Sequence, residues 1–168
     1  MRTKEAIQFA LALSNGAVLS AIDKMSDSAT TFPTPNGGCH PLWVLGHLTV
    51  VEGIIPQVLF GQENPVAEWQ KMFGQGSEAV GNASAYPSFA EVRAKYSELR
   101  ERNLRLLDSL SDADLDKPTA APLKGLEQEF GTFGRSFLSI ALHQTMHRGQ
   151  VTDALRAAGR VEMAQAAN

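Results

Sequence analysis

Apolar residues recur at steps of three and four positions in four long stretches of the chain. The stretches cover residues 3–25, 41–58, 88–110 and 133–158. This spacing places the apolar side chains on one face of an α-helix, and no comparable stretch has the two-residue period of a strand. Four amphipathic helices of roughly 20 residues predict an all-α fold, a four-helix bundle.

The connections between these helices carry turn-forming residues. Residues 26–38, 61–87 and 111–131 are rich in Gly, Ser, Thr or Pro, which favour turns and loops. Residues 35–38 are predicted to form a turn, and residues 66–73 a short helix. We expect the connections 61–87 and 111–131 to border a ligand pocket, because loops on a rigid scaffold commonly do so.

Three local signals mark helix boundaries. Pro41 suits the first position of the second helix, where its missing N–H is no loss. Ser88 and Glu91 have the spacing of a capping box and should open the third helix. Pro56 falls inside the second helix and predicts a bend in its last turn.

Composition and charge indicate a soluble chain of one domain, residues 1–168. Its 168 residues are 43% hydrophobic and 20% charged, as in ordinary globular proteins. The formal net charge of −3, without a basic run, argues against a nucleic-acid partner or an anionic membrane. We expect no membrane span or signal peptide, and the lone Cys39 fits a reducing compartment. The expected location is the cytoplasm.

Candidate chemistry is concentrated in the fourth helix. His143 and His147 stand four residues apart, so their side chains lie on one helix face, about 40° apart. Ile140 and Val151 share that face, which turns both imidazoles inward. Two imidazoles so placed can bind one metal ion and leave positions for further ligands.

The residues around the histidines resemble a known family. His143-x-x-x-His147-Arg148-Gly149-Gln150 resembles the last helix of the DinB-like (DinB/YfiT-like) family, and Trp43-Val44-Leu45-Gly46-His47-Leu48 resembles its second helix. That family consists of four-helix bundles with three histidines around a divalent metal. The resemblance implies that His47, His143 and His147 bind one divalent ion, for which we expect Zn or Ni.

Other polar residues are open to simpler interpretations. Gln150 lies one turn beyond His147 and either orients a ligand or bonds a neighbouring helix. His40 precedes Pro41 and is expected to cap a helix or lie in a loop, since proline disfavours a helical backbone in the residue before it. Asn103 and Ser14 fall on apolar helix faces and are expected to point into the interior.

The reaction class stays open at this level. The resemblance implies a metal-dependent enzyme acting on a small molecule, because relatives include hydrolases, and transferases and isomerases that use low-molecular-weight thiols. No carboxylate has a helix spacing that would make it a catalytic partner of the histidines. The alternatives are a non-catalytic metal-binding or stress-response protein, and a structural bundle whose histidines bond one another.

Three further properties are expected. The chain should form a homodimer, as the family resemblance and apolar positions outside the main stripes (Leu13, Leu107) suggest. The pocket should be largely apolar, because the helical stripes consist mostly of Val, Leu, Ile and Phe. Metal affinity should fall as the pH drops through about 6.5, because a protonated imidazole cannot bind a metal.

Overall fold

The computed structural model describes residues 2–27, 30–31 and 39–160. Within these ranges the chain is helical and contains no strand, so the all-α prediction is confirmed. The long helices are α1 (Thr3–Asp23), α2 (Pro41–Phe60), α4 (Phe89–Ser109) and α6 (Phe133–Ala157). Single-turn helices α3 (Gln70–Phe73) and α5 (Glu127–Phe130) lie in the two longer connections, and the predicted turn at 35–38 lies outside the described residues.

Helix ends follow the local signals in the sequence. Pro41 opens α2, and Ser88 caps α4 in a reciprocal capping box with Glu91. The predicted short helix at 66–73 is present as α3 preceded by a 3-10 turn, Ala67–Trp69. α2 continues through Pro56 and ends at Gly61, whose φ of 68° is readily adopted only by glycine.

Asn103 explains how α2 accommodates a proline in its interior. Pro56 has no N–H, so the carbonyl of Glu52, four residues earlier, loses its helical donor. The side-chain amide of Asn103 donates to that carbonyl oxygen at 2.8 Å. A residue of α4 therefore satisfies the backbone group that the proline leaves free.

Contacts between side chains establish the directions of the long helices. α1 runs antiparallel to α4, since Lys4 bonds Asp112 while Asp23 pairs with Arg93. α2 runs antiparallel to α6, since Phe60 packs on Phe133 and His47 meets His143 near the other end of α2.

α1 runs parallel to α6. Ser14 bonds Gln144 in the middle of both helices, and the carbonyl of Lys24, just after α1, accepts from Arg160, just after α6. α2 and α4 are therefore also parallel, which requires the long connection between them.

A layer of buried polar residues divides the apolar core into two clusters. One cluster contains Leu45, Leu48 and Tyr96, and the other contains Ile55, Leu107 and Phe137. Between them each long helix contributes at least one buried polar side chain. These side chains are Ser14 of α1, Glu52 of α2, Arg100 and Asn103 of α4, and Gln144 of α6.

Glu52 is the centre of this polar layer. Its carboxylate accepts from Arg100 Nη1 at 2.9 Å, Asn103 Nδ2 at 2.8 Å and Gln144 Nε2 at 3.3 Å. Gln144 also donates to the Tyr96 hydroxyl at 2.8 Å and accepts from Ser14 Oγ at 2.8 Å. Burial raises the pKa of Glu52, and the Arg100 charge opposes that rise. The hydrogen bonds of this layer join all four long helices.

Among the described residues, α1 and α2 are long and apolar enough to cross a membrane by length and composition alone. A core helix of a globular protein has the same length and composition. α2 is buried in this way, with 89% of its most apolar 18 residues covered by the other helices, against 33% for α1.

We predict that Arg100→Ala lowers the free energy of unfolding by about 3–5 kcal/mol, because Glu52 would keep a buried charge without its ionic partner. Urea unfolding followed by circular dichroism measures the change. Arg105→Ala is the control, since Arg105 forms an exposed pair with Glu101 on the same helix and should matter little. Equal losses in the two variants would contradict a special role for the buried pair.

Candidate metal centre

Three imidazoles converge between α2 and α6, beside the polar layer. His143 Nε2 lies 3.0 Å from His147 Nε2 and 3.2 Å from His47 Nε2. One nitrogen from each ring lies within 4.8 Å of the other two, which makes the three a group that could hold a metal ion. The structure thus brings together the three histidines proposed as ligands from the sequence.

Hydrogen bonds at the far side of two rings determine which nitrogens face the centre. His47 Nδ1 lies 2.7 Å from the carbonyl oxygen of Phe73, and His147 Nδ1 lies 2.6 Å from Oε1 of Gln150. Both oxygens are acceptors, so each Nδ1 carries the proton. A neutral ring has a single N–H, so Nε2 of His47 and of His147 presents a lone pair to the centre.

His143 cannot satisfy both of these lone pairs. If its Nε2 carries the proton, it can donate fully to only one of its two neighbours. Its Nδ1 is buried and has no hydrogen-bond partner. At the centre, one of the two neighbouring lone pairs therefore has no donor, and an unpaired acceptor of this kind is costly, so a further group in the centre is favoured.

A divalent cation fits this donor set. It would accept a lone pair from all three Nε2 atoms and would release His143 Nε2 from donating. Nitrogens bound about 2.0–2.1 Å from one ion lie roughly 2.9–3.4 Å apart for bond angles between 90° and tetrahedral. The two observed separations of 3.0 and 3.2 Å fall in that range.

Burial keeps the histidines neutral, the form that binds metals. Desolvation, together with the neighbouring imidazoles, lowers the pKa of His47 to about 4 and that of His143 to about 3. Desolvation also lowers the pKa of His147. Proton competition with a metal therefore begins at a lower pH than the 6.5 expected from isolated imidazole.

Gly46 makes room for the residue that orients His47. A Cβ atom at position 46 would lie 2.3 Å from the Phe73 ring, so only glycine lets that ring pack against α2. The carbonyl of Phe73 then accepts from His47 Nδ1. Trp43, one turn before His47, stacks on its ring at 4.8 Å and donates to Ser77 Oγ. The connection 61–87 therefore holds the His47 ring in place from outside α2.

The remaining candidates from the sequence lie outside the group of three. His40 caps α2, with Nδ1 accepting from the Trp43 amide at 3.0 Å, and its Nε2 lies 2.9 Å from the Val80 carbonyl, so the capping interpretation is confirmed. Gln150 contacts His147 directly. Ser14 and Asn103 are buried as expected and belong to the polar layer.

The histidines open onto a cavity of about 830 Å³. Helices α2 and α6 form its walls, and parts of the connections 61–87 and 111–131 form its rim, as expected. The lining is largely apolar and has few charged side chains, as predicted, and amide side chains accompany the apolar ones. These amides are Gln57, Asn64, Gln70, Gln75 and Gln150.

The connection 61–87 supplies three of these five amides, Asn64, Gln70 and Gln75. The prediction considered only the helical stripes, so it did not include these polar side chains. Asn64 is held close to α2, where its Nδ2 donates to the Val50 carbonyl at 3.2 Å and Gly53 leaves space for its side chain. No helical period marks such residues in the sequence.

The profile of the DinB superfamily matches residues 10–151. The chain belongs to the DinB superfamily. The match begins within α1, ends within α6 and includes all three clustered histidines. Comparison with curated protein sequences gives no match.

We predict that alanine at any one of His47, His143 or His147 in this DinB-superfamily chain strongly reduces the metal content of the purified protein, because two imidazoles hold a divalent ion far more weakly than three. Elemental analysis after equilibration with Zn²⁺ or Ni²⁺ measures the loss. His40→Ala is the matched control, since His40 is a buried histidine outside the cluster. Metal content that is insensitive to all three substitutions would contradict the site.

We predict that the metal-free protein loses stability as the pH falls below 6.5. The unfolded histidines have ordinary pKa values, whereas the folded ones have lower values, so the unfolded chain binds more protons in this window. Urea unfolding between pH 7 and about pH 5 measures the slope, above the range in which most carboxylates titrate. His143→Gln should flatten the slope, and an identical slope in that variant would contradict the assignment.

Proposed function

We propose that this DinB-superfamily protein is a metal-dependent enzyme that acts on a small molecule, with His47, His143 and His147 holding one divalent ion. One observation carries the proposal. Three buried or half-buried imidazoles direct their Nε2 atoms at a common point, and at most one of these atoms carries a proton that can be donated. That point adjoins a cavity. Three protein ligands leave a position for a substrate, as in catalytic rather than structural sites.

Zn or Ni is the metal that we propose. Either ion, when bound, supplies a Lewis acid that lowers the pKa of a thiol or polarises a substrate oxygen. Imidazole nitrogen suits both ions. The ligand set contains no carboxylate or thiolate, since Cys39 lines the cavity but lies outside the group of three histidines.

Residues around the site orient the metal ligands and exclude water. Phe73 and Gln150 hold the protons of His47 and His147 on Nδ1, so that both Nε2 atoms are available as ligands. Apolar side chains of α2 and α6, such as Val51 and Ile140, reduce access of water to the substrate. Among the described residues no carboxylate bonds a histidine, so the nucleophile would come from a substrate, a cosubstrate or water activated by the metal. A low-molecular-weight thiol is one such nucleophile, and thiol transfer, isomerisation and hydrolysis are all compatible with the site.

The second candidate function is metal binding without turnover, as in a stress-response protein. The same lack of a neighbouring acid or base favours it. Among the described residues the carboxylates that line the cavity are Glu63 and Glu129, and neither bonds a histidine. A structural role for the histidines alone is the least favoured alternative, because one of the Nε2 lone pairs of His47 and His147 then has no donor.

We predict thiol conjugation of an apolar electrophile that depends on both metal and His147. Turnover should fall to background in chelator-treated protein and return when the metal is added back. His147→Ala should show no such recovery, because it lacks one of the three ligands. Assays of thiol conjugation and of ester hydrolysis on the same samples separate the reaction classes. Activity that survives both metal removal and the substitution would reject metal catalysis.

We also propose a cytoplasmic homodimer in which a second copy covers the outer surface of α1 and α6. No charged residue lies between Glu5 and Asp23 of α1 or between Arg135 and Arg148 of α6. This outer surface exposes large apolar side chains, namely Phe9, Leu13, Leu138, Leu142 and Met146. Two such surfaces can meet around a two-fold axis without repulsion between like charges.

We predict that sedimentation gives a dimer and that Leu13→Glu shifts it toward the 18.1 kDa monomer. A carboxylate buried between two apolar surfaces without a partner is strongly unfavourable. Val80→Glu is the control, because Val80 is also exposed but lies in the connection 61–87. A monomeric wild type at all concentrations would remove the proposal.

A further inference from the structure

The cavity extends along α2 and α6, and the histidines and two glutamates line it at different positions along these helices. Asn64 is held beside Gly53, six residues after His47 on α2, which corresponds to about 9 Å along the helix axis. Glu63 immediately precedes Asn64 and lines the cavity. A ligand that contacts both the histidines and Glu63 must therefore extend along the groove between α2 and α6.

Glu129 approaches the same end of the cavity from the other side. Its carbonyl oxygen accepts from Ser139 Oγ at 3.0 Å. Ser139 is one turn before His143 on α6, so it lies toward the end where α6 meets the C-terminus of α2. Both Ser139 and Glu129 line the cavity. Two carboxylates on different connections thus border the end of the cavity remote from Trp43.

Basic side chains do not balance these carboxylates within the cavity. Among the described residues, neither Lys nor Arg lines it, and Glu63 and Glu129 form no ion pair within 4 Å. The segments outside the described residues contain no Lys or Arg at all.

Two arginines lie near the outside of this end. Arg102 donates to Gln62 Oε1 at 3.4 Å and Arg135 to the Gln128 carbonyl at 3.5 Å, in each case beside one of the two glutamates in sequence. Neither arginine lines the cavity. These arginines make the outer surface near Glu63 and Glu129 less negative, but they provide no hydrogen-bond donor to a ligand in the cavity.

We propose that this cavity selects a short amphiphile with a metal-binding donor at one end and a cationic amine at the other, and that it disfavours the corresponding carboxylate. The inference rests on the proposed function, because the donor end requires the metal. Apolar walls cover the middle of such a molecule. Amide side chains between the walls can donate or accept, so they also tolerate a neutral hydroxyl. Glu63 and Glu129 attract the amine and repel an anion.

Three thiols that differ only at the far end test this charge preference. They are 6-aminohexane-1-thiol, 6-mercaptohexan-1-ol and 6-mercaptohexanoate, each titrated into metal-loaded protein under reducing conditions by calorimetry. The amine should bind most tightly and the carboxylate most weakly, with a difference in Kd of about fivefold or more at low ionic strength. About 0.5 M NaCl should reduce that difference, because rim charges are screened.

The double variant Glu63→Gln and Glu129→Gln tests whether these two carboxylates cause the charge preference. It should bring the three affinities close together, whereas Glu101→Gln, which removes an exposed carboxylate of α4 outside the cavity, should leave the order unchanged. Equal affinities in the wild type, a preference for the carboxylate, or an order that survives the double substitution would overturn the inference. Failure of all three thiols to bind would also overturn it.

Metal content measured on the same samples separates the two proposals. Protein that binds metal but shows no charge preference rejects the amphiphile and leaves the metal site intact. Protein that takes up no metal rejects the proposed function and this inference with it.

Discussion

The buried carboxylate of Glu52 is the constraint on which the arrangement of the helices depends. A carboxylate that is 1% exposed must have its charge and its hydrogen-bonding capacity satisfied by other residues. Arg100 and Asn103 provide this from α4, and Gln144 provides it from α6. Sliding either helix by one turn would move these donors about 5 Å away and leave the charge unpaired. The register of α2 against its neighbours is therefore strongly specified, which a purely apolar interface would not achieve.

The same register of the helices positions the histidines of the metal centre. Gln144 follows His143 directly, so the bond that holds Gln144 against Glu52 also positions His143 relative to His47. The histidines lie beside the Glu52 network, since His143 directly precedes Gln144 and His47 is five residues before Glu52 on α2. That position desolvates the imidazoles enough to keep them neutral, and it leaves their Nε2 side facing a cavity. Stability and candidate chemistry thus depend on the same layer of polar residues.

The connections contribute more to the site than loops that merely border a pocket. Phe73 provides the acceptor that orients His47, and its ring occupies the space that Gly46 leaves open. Asn64 and the neighbouring Glu63 add an amide and a carboxylate to the polar groups that Gln57 and Gln150 supply from the long helices. Different positions therefore control different properties: Gly46 and Phe73 control the orientation of a metal ligand, and Glu63 controls the charge at the cavity rim.

The sequence by itself determined the four long helices, the caps at Pro41 and Ser88, and the pairing of His143 with His147, because these depend on spacing along one helix. It also indicated His47, through the motif that surrounds it. Only the tertiary structure decided that Phe73 and Gln150 hold the ring protons, that Asn103 satisfies the carbonyl freed by Pro56, and that Glu52 joins three helices. Each of these is a contact between residues distant in sequence or a choice between hydrogen-bond partners. Local periodicity carries no information about such contacts, because they form only when separate helices pack at one register.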